Sequence, residues 1–546
     1  MHKSDSNNDK CESDKGFDGA ESMKSHNQEA PCDAAEAEKG IPEEPETKHE
    51  KPADAEDFSV FTTGQKRAIV LTAAFASWFS PMTASIYFPA LNQIAADLQV
   101  SSTDINLTVT TYLIVQGLAP MMIAGFSDKA GRRPAYIVCF AIYIVANLAL
   151  ALQDNYVALL ILRMVQSAGS SGTVALANGV VGDLITSSER GKYVAWASLG
   201  SVLGPTLSPV IGGLISQYLD WHWLFWFLLI LSAAFTIPFL LFMPETCRNI
   251  VGDGSVPPPW TSWNLSDHIR FKKREKDNIL VDQAKLEALR KNYKITIPNP
   301  LASLKVLFSR EGFLLLVPTG LAFALYYALV TGASEVFASV YGFDELDVGL
   351  IFLSIGGGSI IAAFTVGKII DWNYGRHAKK LNMPIVKNRA TDLSNFPIER
   401  ARLEVGLPML LFTAAVIIGY GWMMIHKISL AGPVIMLFLS GFCLIAGSQT
   451  LMVLMVDIYP GRPAAATAAN NVARCLLGAG ATAAIQPMST SLGYGWAYTI
   501  LSVIFLLSTP SLIVVMKYGI EWRKRAKTSA ERKKAKLASR ADQAKA

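Results

Sequence analysis

Residues 125–133 read GFSDKAGRR and connect two apolar runs, at about 105–126 and 134–152. Gly131 supplies the backbone freedom that a tight turn between two helices needs, and Asp128 is set among cations and helix ends. Such a network can stabilise one conformation and be released in another. Each flanking run approaches the roughly 20 residues that a helix needs to cross a bilayer.

Ten further apolar runs have a similar length, and hydrophobic residues make up 51% of the 546 against 17% charged. This composition is too apolar for several soluble domains. We predict an all-α polytopic membrane protein of about twelve spans. The other runs lie at about 67–90, 156–180, 193–218, 223–243, 312–336, 346–370, 405–425, 430–456, 464–487 and 496–517.

Polar segments divide these runs into two groups of six. Residues 1–62 are acidic and poor in aromatic residues, which predicts a disordered cytoplasmic arm. We expect six-helix bundles at 63–243 and 312–517, separated by a cytoplasmic loop at 244–311. The basic tail at 518–546 directly follows a span, which favours contact with anionic lipid over nucleic acid.

Lys and Arg concentrate in alternate loops, which predicts the orientation of the chain. The loops near residues 97, 154, 220 and 344 are acidic or neutral, so we expect both termini in the cytoplasm and a multi-pass position in the plasma membrane. The cations of the opposite set are Lys129, Arg132, Arg133, Arg190, Lys192, Arg376, Lys379, Lys380, Arg400, Arg402 and Arg462.

The sequence contains no motif of a soluble enzyme. The six cysteines are scattered without metal-ligand spacing, and the phosphate loop GxxxxGK(S/T) is absent. We therefore expect neither an enzyme nor a disulfide framework, and no cofactor or bound metal. The two halves repeat each other instead: Asp183 ends the fourth run and Asp457 the tenth, as in a duplicated transporter.

The stretch at 125–133 resembles the signature of the major facilitator superfamily, with matches at Gly125, Asp128, Gly131, Arg132 and Arg133. The resemblance implies two pseudo-symmetric six-helix bundles, with a substrate site near the midplane that faces each side in turn. Gradient-driven movement of a small molecule follows from that family, and the protein is expected to act as a monomer in the bilayer.

The fourth run carries Arg163, Gln166 and Gly169, which match a second family pattern, Arg-x-x-Gln-Gly-x-Gly, with Ser167 in place of its first glycine. A charge inside a span is costly and should face a cavity or a partner. By resemblance, Arg163 and Gln166 are coupled to proton movement or to an anionic substrate. The alternative is a structural arginine that joins two helices.

The fifth run resembles the motif of the superfamily's antiporters. Small residues four apart allow helices to approach closely, and prolines introduce kinks. The resemblance to the antiporter motif favours export over uptake. The residues are Gly200, Gly204, Pro205, Pro209, Gly212 and Gly213.

Further stretches, among them residues 87–92, 221–226, 244–246 and 470–478, resemble the fungal twelve-span drug:proton antiporters, especially the quinidine-resistance-like branch. That resemblance implies proton-coupled efflux of a drug, secondary metabolite or weak organic acid. Facilitated uptake or exchange of an organic acid remains an alternative, as does a nutrient sensor without transport.

Other polar groups in the apolar runs are weaker candidates. Glu335 could carry a proton or bind a cation, or instead lie at the membrane interface beside Asp344. Asp457 and Arg474 fall on adjacent helices near the cytoplasmic side, and we expect them to pair; direct contact with the substrate is the alternative. Gln116, Tyr326 and other uncharged polar residues are types that a substrate cavity uses, although helix contacts use the same types.

Overall fold

The structure is a computed structural model that describes residues 59–185, 193, 196, 199–259, 262–276, 286–287, 289, 305–381, 396–459 and 463–543. These residues form helices joined by short connections, and none of the described residues lies in a strand. The helices are α1 (Thr63–Ser85), α2 (Leu91–Asp97), α3 (Ser102–Ala130), α4 (Arg132–Ala151), α5 (Tyr156–Leu184), α6 (Leu199–Tyr218), α7 (His222–Phe242), α8 (Arg248–Val251), α9 (Leu265–Lys276), α10 (Arg310–Tyr341), α11 (Glu345–Lys380), α12 (Ile398–Ile425), α13 (Ala431–Ile458), α14 (Pro463–Leu492), α15 (Tyr494–Ser508) and α16 (Pro510–Gln543).

The long helices form two bundles, as the sequence predicts. In the first bundle, α5 packs against α1, α3 and α4, while α6 packs against α1 and α7 against α4. In the second, α10 packs against α14, and α13 packs against both α11 and α12. We call the end where α3 meets α4 the motif end, and the other end of the bundles the opposite end.

Local sequence explains where several helices begin. The Thr62 hydroxyl accepts a hydrogen bond from the backbone N–H of Gln65, whose side chain accepts one from the N–H of Thr62. Ser101 and Asp104 form the same reciprocal arrangement at the start of α3. These capping boxes satisfy N–H groups that have no partner within the helix.

Ten stretches of the described chain are long and apolar enough to cross a membrane, whereas the sequence predicts about twelve spans. The fifth and eleventh predicted runs correspond to α6 and α14, which are not among the ten. These two helices join the bundles: α6 packs against α11, and α14 packs against α3. α14 is rich in Ala, Gly and Asn, which favour close helix contacts over contact with lipid.

Two predicted boundaries differ from the structure because hydropathy marks the membrane span and not the whole helix. The run predicted at 346–370 lies within α11, which continues to Lys380, and the last helix continues through the basic tail to Gln543. Charged residues such as Lys, Arg and Glu are good helix formers in water. The tail therefore extends a helix that begins in the membrane.

The segment that follows the first bundle folds against its motif end. The Asn249 amide donates to the Asp128 carbonyl at 2.9 Å, and the Arg270 guanidinium lies 4.6 Å from the ring centroid of Phe61. The backbone N–H of Val60 donates to the Asp253 carbonyl at 3.0 Å, so residues 59–61 pack here although we assigned them to the arm. Residues 1–58 and most of residues 277–304 of the central loop lie outside the described residues.

Candidate functional site

The GFSDKAGRR stretch forms an ion-pair network at the motif end. Arg132 Nε lies 2.8 Å from the Asp183 carboxylate, and its Nη1 lies 2.7 Å from that of Asp128. Gly131 between the helices adopts φ = 113°, a left-handed conformation that glycine accepts without strain. Gly125 lies one turn before Asp128 on α3. The network ties α3, α4 and α5 together, since each helix supplies one member.

Glu245 completes this network from the segment after α7. Its carboxylate accepts backbone N–H bonds from Arg132, Arg133, Thr246 and Cys247 at 2.8 to 3.1 Å. Burial raises the pKa of this carboxyl group, and the four N–H donors oppose that shift. Because two donors belong to the first turn of α4, the carboxylate also lies at the positive end of a helix dipole. Glu245 lies within residues 244–246, one of the stretches that resemble the fungal antiporters, but the sequence alone predicts no role for its carboxylate.

Arg163 lies sealed inside the first bundle. Its side chain is buried, and the guanidinium carbon lies 4.2 Å from the ring centroid of Tyr87 and 4.3 Å from that of Tyr112. Nη1 donates to Gln166 Oε1 at 2.6 Å, and Gln166 in turn donates to Asn147 at 2.7 Å. Aromatic faces and amide oxygens therefore stabilise this charge. Within the described residues, it has no carboxylate partner.

The antiporter-like motif forms a seam of backbone contacts between α1, α6 and α11. Gly200, Gly204 and Gly212 face α1, where the nearest atoms include the Ala74 carbonyl, Pro81 and the Ile86 carbonyl. Gly213 faces the Glu345 carbonyl of α11, and the Pro209 carbonyl faces Gly349. Pro205 lies within α6 between these contacts. The glycines thus permit an approach that a side chain would prevent.

Glu335 lies at the opposite end, beside the contacts that join the bundles there. Its half-buried carboxylate faces the side chains of Gln486 in the second bundle and Ser102 in the first. The neighbouring Ser334 donates its hydroxyl to the Phe88 carbonyl at 2.8 Å, and its own carbonyl accepts from Asn92 at 3.3 Å. The bundles are therefore closed against each other at this end.

The predicted pairing of Asp457 with Arg474 is wrong. Asp457 pairs instead with Arg402 Nε at 3.1 Å, an arrangement that repeats the Arg132–Asp183 pair of the first bundle. Asp457 is at the motif end of α13, whereas Arg474 lies eleven residues into α14, which places it about 16 Å further along at ~1.5 Å per residue. Arg474 donates to Asn471 Oδ1 at 2.8 Å and lies 4.7 Å from the Phe323 ring centroid.

Comparisons with known proteins agree with this architecture. A sequence model of the Major Facilitator Superfamily matches residues 73–483. The MFS-type transporter phiD of a fungal species is 52% identical over 483 residues, which cover 88% of this chain and 72% of that protein. Citrate exporter 1 of Aspergillus niger is 33% identical over 501 residues, which cover 91% of this chain and 94% of that protein.

Solved structures with the same fold are more distant in sequence. The human organic anion transporter MFSD10 aligns with a TM-score of 0.53 at 18% identity, covering 82% of this chain and 99% of that protein. The xylose transporter XylE of E. coli aligns with a TM-score of 0.56 at 16% identity, covering 84% of this chain and 98% of that protein. These structures bear on the fold alone.

Proposed function

The chain belongs to the Major Facilitator Superfamily, and from that premise we propose that it is a proton-coupled antiporter that exports a small organic acid. The α1–α6–α11 seam carries this proposal, because its Gly and Pro residues have the spacing that antiporters of the superfamily share. The relative named as a citrate exporter supports an acidic cargo and the outward direction. A drug or a neutral secondary metabolite would use the same machinery.

Transport in this proposal alternates between the observed form and one that is open at the opposite end. Opening separates α6 from α11 and breaks the hydrogen bonds of Ser334 to Phe88 and Asn92. Glu335 gains access to the outer solution at that moment and takes up a proton there. A proton binds with different free energy in the two forms, which is what coupling requires.

Arg163 and Gln166 contribute to coupling through conformation in this proposal. Arg163 on α5 contacts α3 through Tyr112 and the segment that follows α1 through Tyr87, so a shift of either part changes the environment of the guanidinium. The cations of the motif end support a cytoplasmic position for that end and for both termini. We propose the plasma membrane as the location and a monomer as the working unit.

Facilitated exchange of an organic acid is the second candidate, and the citrate exporter similarity favours it equally. Exchange needs no proton gradient. A sensor without transport is the third candidate, and flux alone separates it from the other two.

The experiment measures export of citrate, other weak acids, cationic drugs and polyamines from energised cells that contain or lack the protein, with and without a protonophore. Proton-coupled export stops when the gradient collapses. Facilitated exchange continues, and a sensor gives no difference between the two cell types.

A matched pair of glycine variants tests the seam. A Cβ at Gly213 would lie 2.5 Å from the Glu345 carbonyl, whereas a Cβ at Gly480 meets no atom within 4 Å. Gly213→Ala should reduce export about tenfold by preventing closure of the opposite end, and Gly480→Ala should leave it unchanged. Equal export by both variants would remove the seam from the mechanism.

A further inference from the structure

Arg474 is a second charged group within the membrane helices, and its hydrogen bonds are incomplete. The side chain is partly exposed, its Nε has no hydrogen-bond partner, and a single amide oxygen, Asn471 Oδ1, accepts from Nη2. The ionisable groups that interact with the guanidinium are those of Cys475, Tyr327 and Tyr326. The guanidinium therefore faces thiol and phenol groups rather than a carboxylate.

Three arginines near the ends of the helices have acidic partners. Arg132 pairs with Asp183, Arg402 with Asp457, and Arg376 with Glu404, all within 3.1 Å. In the described part of the chain, no Asp or Glu pairs with Arg474. A charge near the membrane midplane costs at least ~2.5 kcal/mol, and a bound anion would offset much of that cost.

A further polar group lies on the other bundle. The Asn471 amide donates to the Gln116 carbonyl at 2.9 Å, which connects α14 to α3. Gln116 is only 9% exposed, and its side-chain oxygen has no hydrogen-bond partner. Gln116 lies midway along α3, and Arg474 lies near the middle of α14. The two groups with unused hydrogen-bonding capacity therefore share the midplane, with Asn471 between them.

We propose that Arg474, Asn471 and Gln116 form a binding site for a hydroxycarboxylic acid. Arg474 binds the carboxylate with charge-assisted hydrogen bonds, and the Gln116 oxygen accepts a hydrogen bond from the neighbouring hydroxyl. Because Asn471 and Gln116 belong to different bundles, a ligand here contacts both. This inference rests on the proposed transport function for its biological role, but binding tests it independently.

The wall beside Arg474 accommodates the apolar part of such a ligand. Phe323 lies under the guanidinium, and the rings of Tyr326 and Tyr327 are 5.6 Å apart beside it on α10. Phe323 and both tyrosines are partly exposed. A cationic drug would meet the like charge of Arg474 at this position, so the site selects for acids.

The test uses the purified full-length protein in detergent and measures the affinity for citrate from the rise in melting temperature. Arg474→Gln should lower citrate affinity at least tenfold. Arg525→Gln removes an exposed arginine of the tail that pairs with Glu521 and should change nothing. Equal citrate affinity of Arg474→Gln and the unaltered protein overturns the proposal, as does the absence of binding by citrate, malate and tricarballylate to the unaltered protein.

Gln116→Leu provides a second measurement if Arg474→Gln does not fold. Tricarballylate is citrate without the hydroxyl group, so Gln116→Leu should abolish the preference for citrate over tricarballylate. An unchanged ratio of the two affinities overturns the site. Export measured with a proton gradient distinguishes failure of this site from failure of the proposed function. If Arg474→Gln weakens citrate binding but the unaltered protein shows no gradient-driven export, the antiport proposal alone is refuted. If the unaltered protein exports citrate and Arg474→Gln binds it with unaltered affinity, this binding site alone is refuted.

Discussion

The two bundles differ in how far they bury an arginine that lies within the membrane helices. The first bundle encloses Arg163 between two tyrosine rings and leaves it 1% exposed, whereas the second leaves Arg474 partly open beside Phe323. Neither has an acidic partner among the described residues. In our two proposals, a charge without a carboxylate partner therefore has two uses: the sealed arginine responds to helix movement, and the open one binds a ligand.

At the motif end, the bundles repeat one ion pair but surround it differently. Arg132–Asp183 and Arg402–Asp457 occupy equivalent positions. The first pair is supported by the buried carboxylate of Glu245. In the second bundle, a separate partly exposed carboxylate, Glu404, binds Arg376, His377 and Arg400.

The largest expected effect is on the first of these pairs. Arg132→Gln leaves Asp183 buried without its partner and should lower the free energy of unfolding by about 3 to 5 kcal/mol. Arg402→Gln should cost less, because the Asp457 side chain is 22% exposed against 13% for Asp183. Thermal unfolding in detergent measures both. The double variant Arg132→Gln/Asp183→Asn should recover much of the loss, and equal costs for the two single variants would contradict the comparison.

Arg163→Gln tests the sealed arginine. It should reduce gradient-driven export by at least about tenfold, the lower part of the usual range for coupling between sites. Citrate affinity in detergent should stay the same, because Arg163 does not face the ligand. Arg525→Gln is the control for loss of a positive charge. Normal export by Arg163→Gln would remove this residue from the mechanism.

Asp267 adds a pH dependence to the first bundle's motif end. Burial raises its pKa from 3.8 to about 6, and Arg270 and Arg133 oppose that shift. The folded state therefore holds this proton more tightly than the unfolded state. Stability should fall by on the order of 1 to 3 kcal/mol as pH rises from about 4 to about 6. Asp267→Asn should flatten this part of the curve of melting temperature against pH, and an unaltered curve would exclude Asp267 as its source.

Glu335→Gln gives the smallest expected change. It removes one ionisable group from the opposite end and keeps the side-chain shape, so basal flux should persist. The ratio of export with a proton gradient to export without one should fall about fivefold, the lower end of the usual range of coupling free energies. Ser339→Ala, one turn further along α10, serves as the control. An unchanged ratio would assign proton coupling to another group.

The fold follows from the sequence because run length and the GFSDKAGRR stretch depend on local patterns. The ion pairs depend instead on how distant helices pack, so local patterns do not predict them. Asp183 and Arg132 are 51 residues apart, and Asp457 and Arg402 are 55 apart, so only the packed helices show that they meet. The order of the helices predicts an ion pair between Arg474 and Asp457, but the position of each residue along its helix decides which groups can touch. The contact between Gln116 and Asn471 likewise depends on how the two bundles pack, so the sequence does not predict it.

The α6–α11 part of the seam has a consequence for the rate of opening. Gly213 meets the Glu345 carbonyl and Gly349 the Pro209 carbonyl, so these contacts between α6 and α11 contain no side chain that must change rotamer when the two helices part. Each atom pair there contributes only ~0.1 to 0.2 kcal/mol of dispersion energy. These glycine contacts therefore add little to the activation enthalpy for opening, and most of it should come from the hydrogen bonds of Ser334 to Phe88 and Asn92.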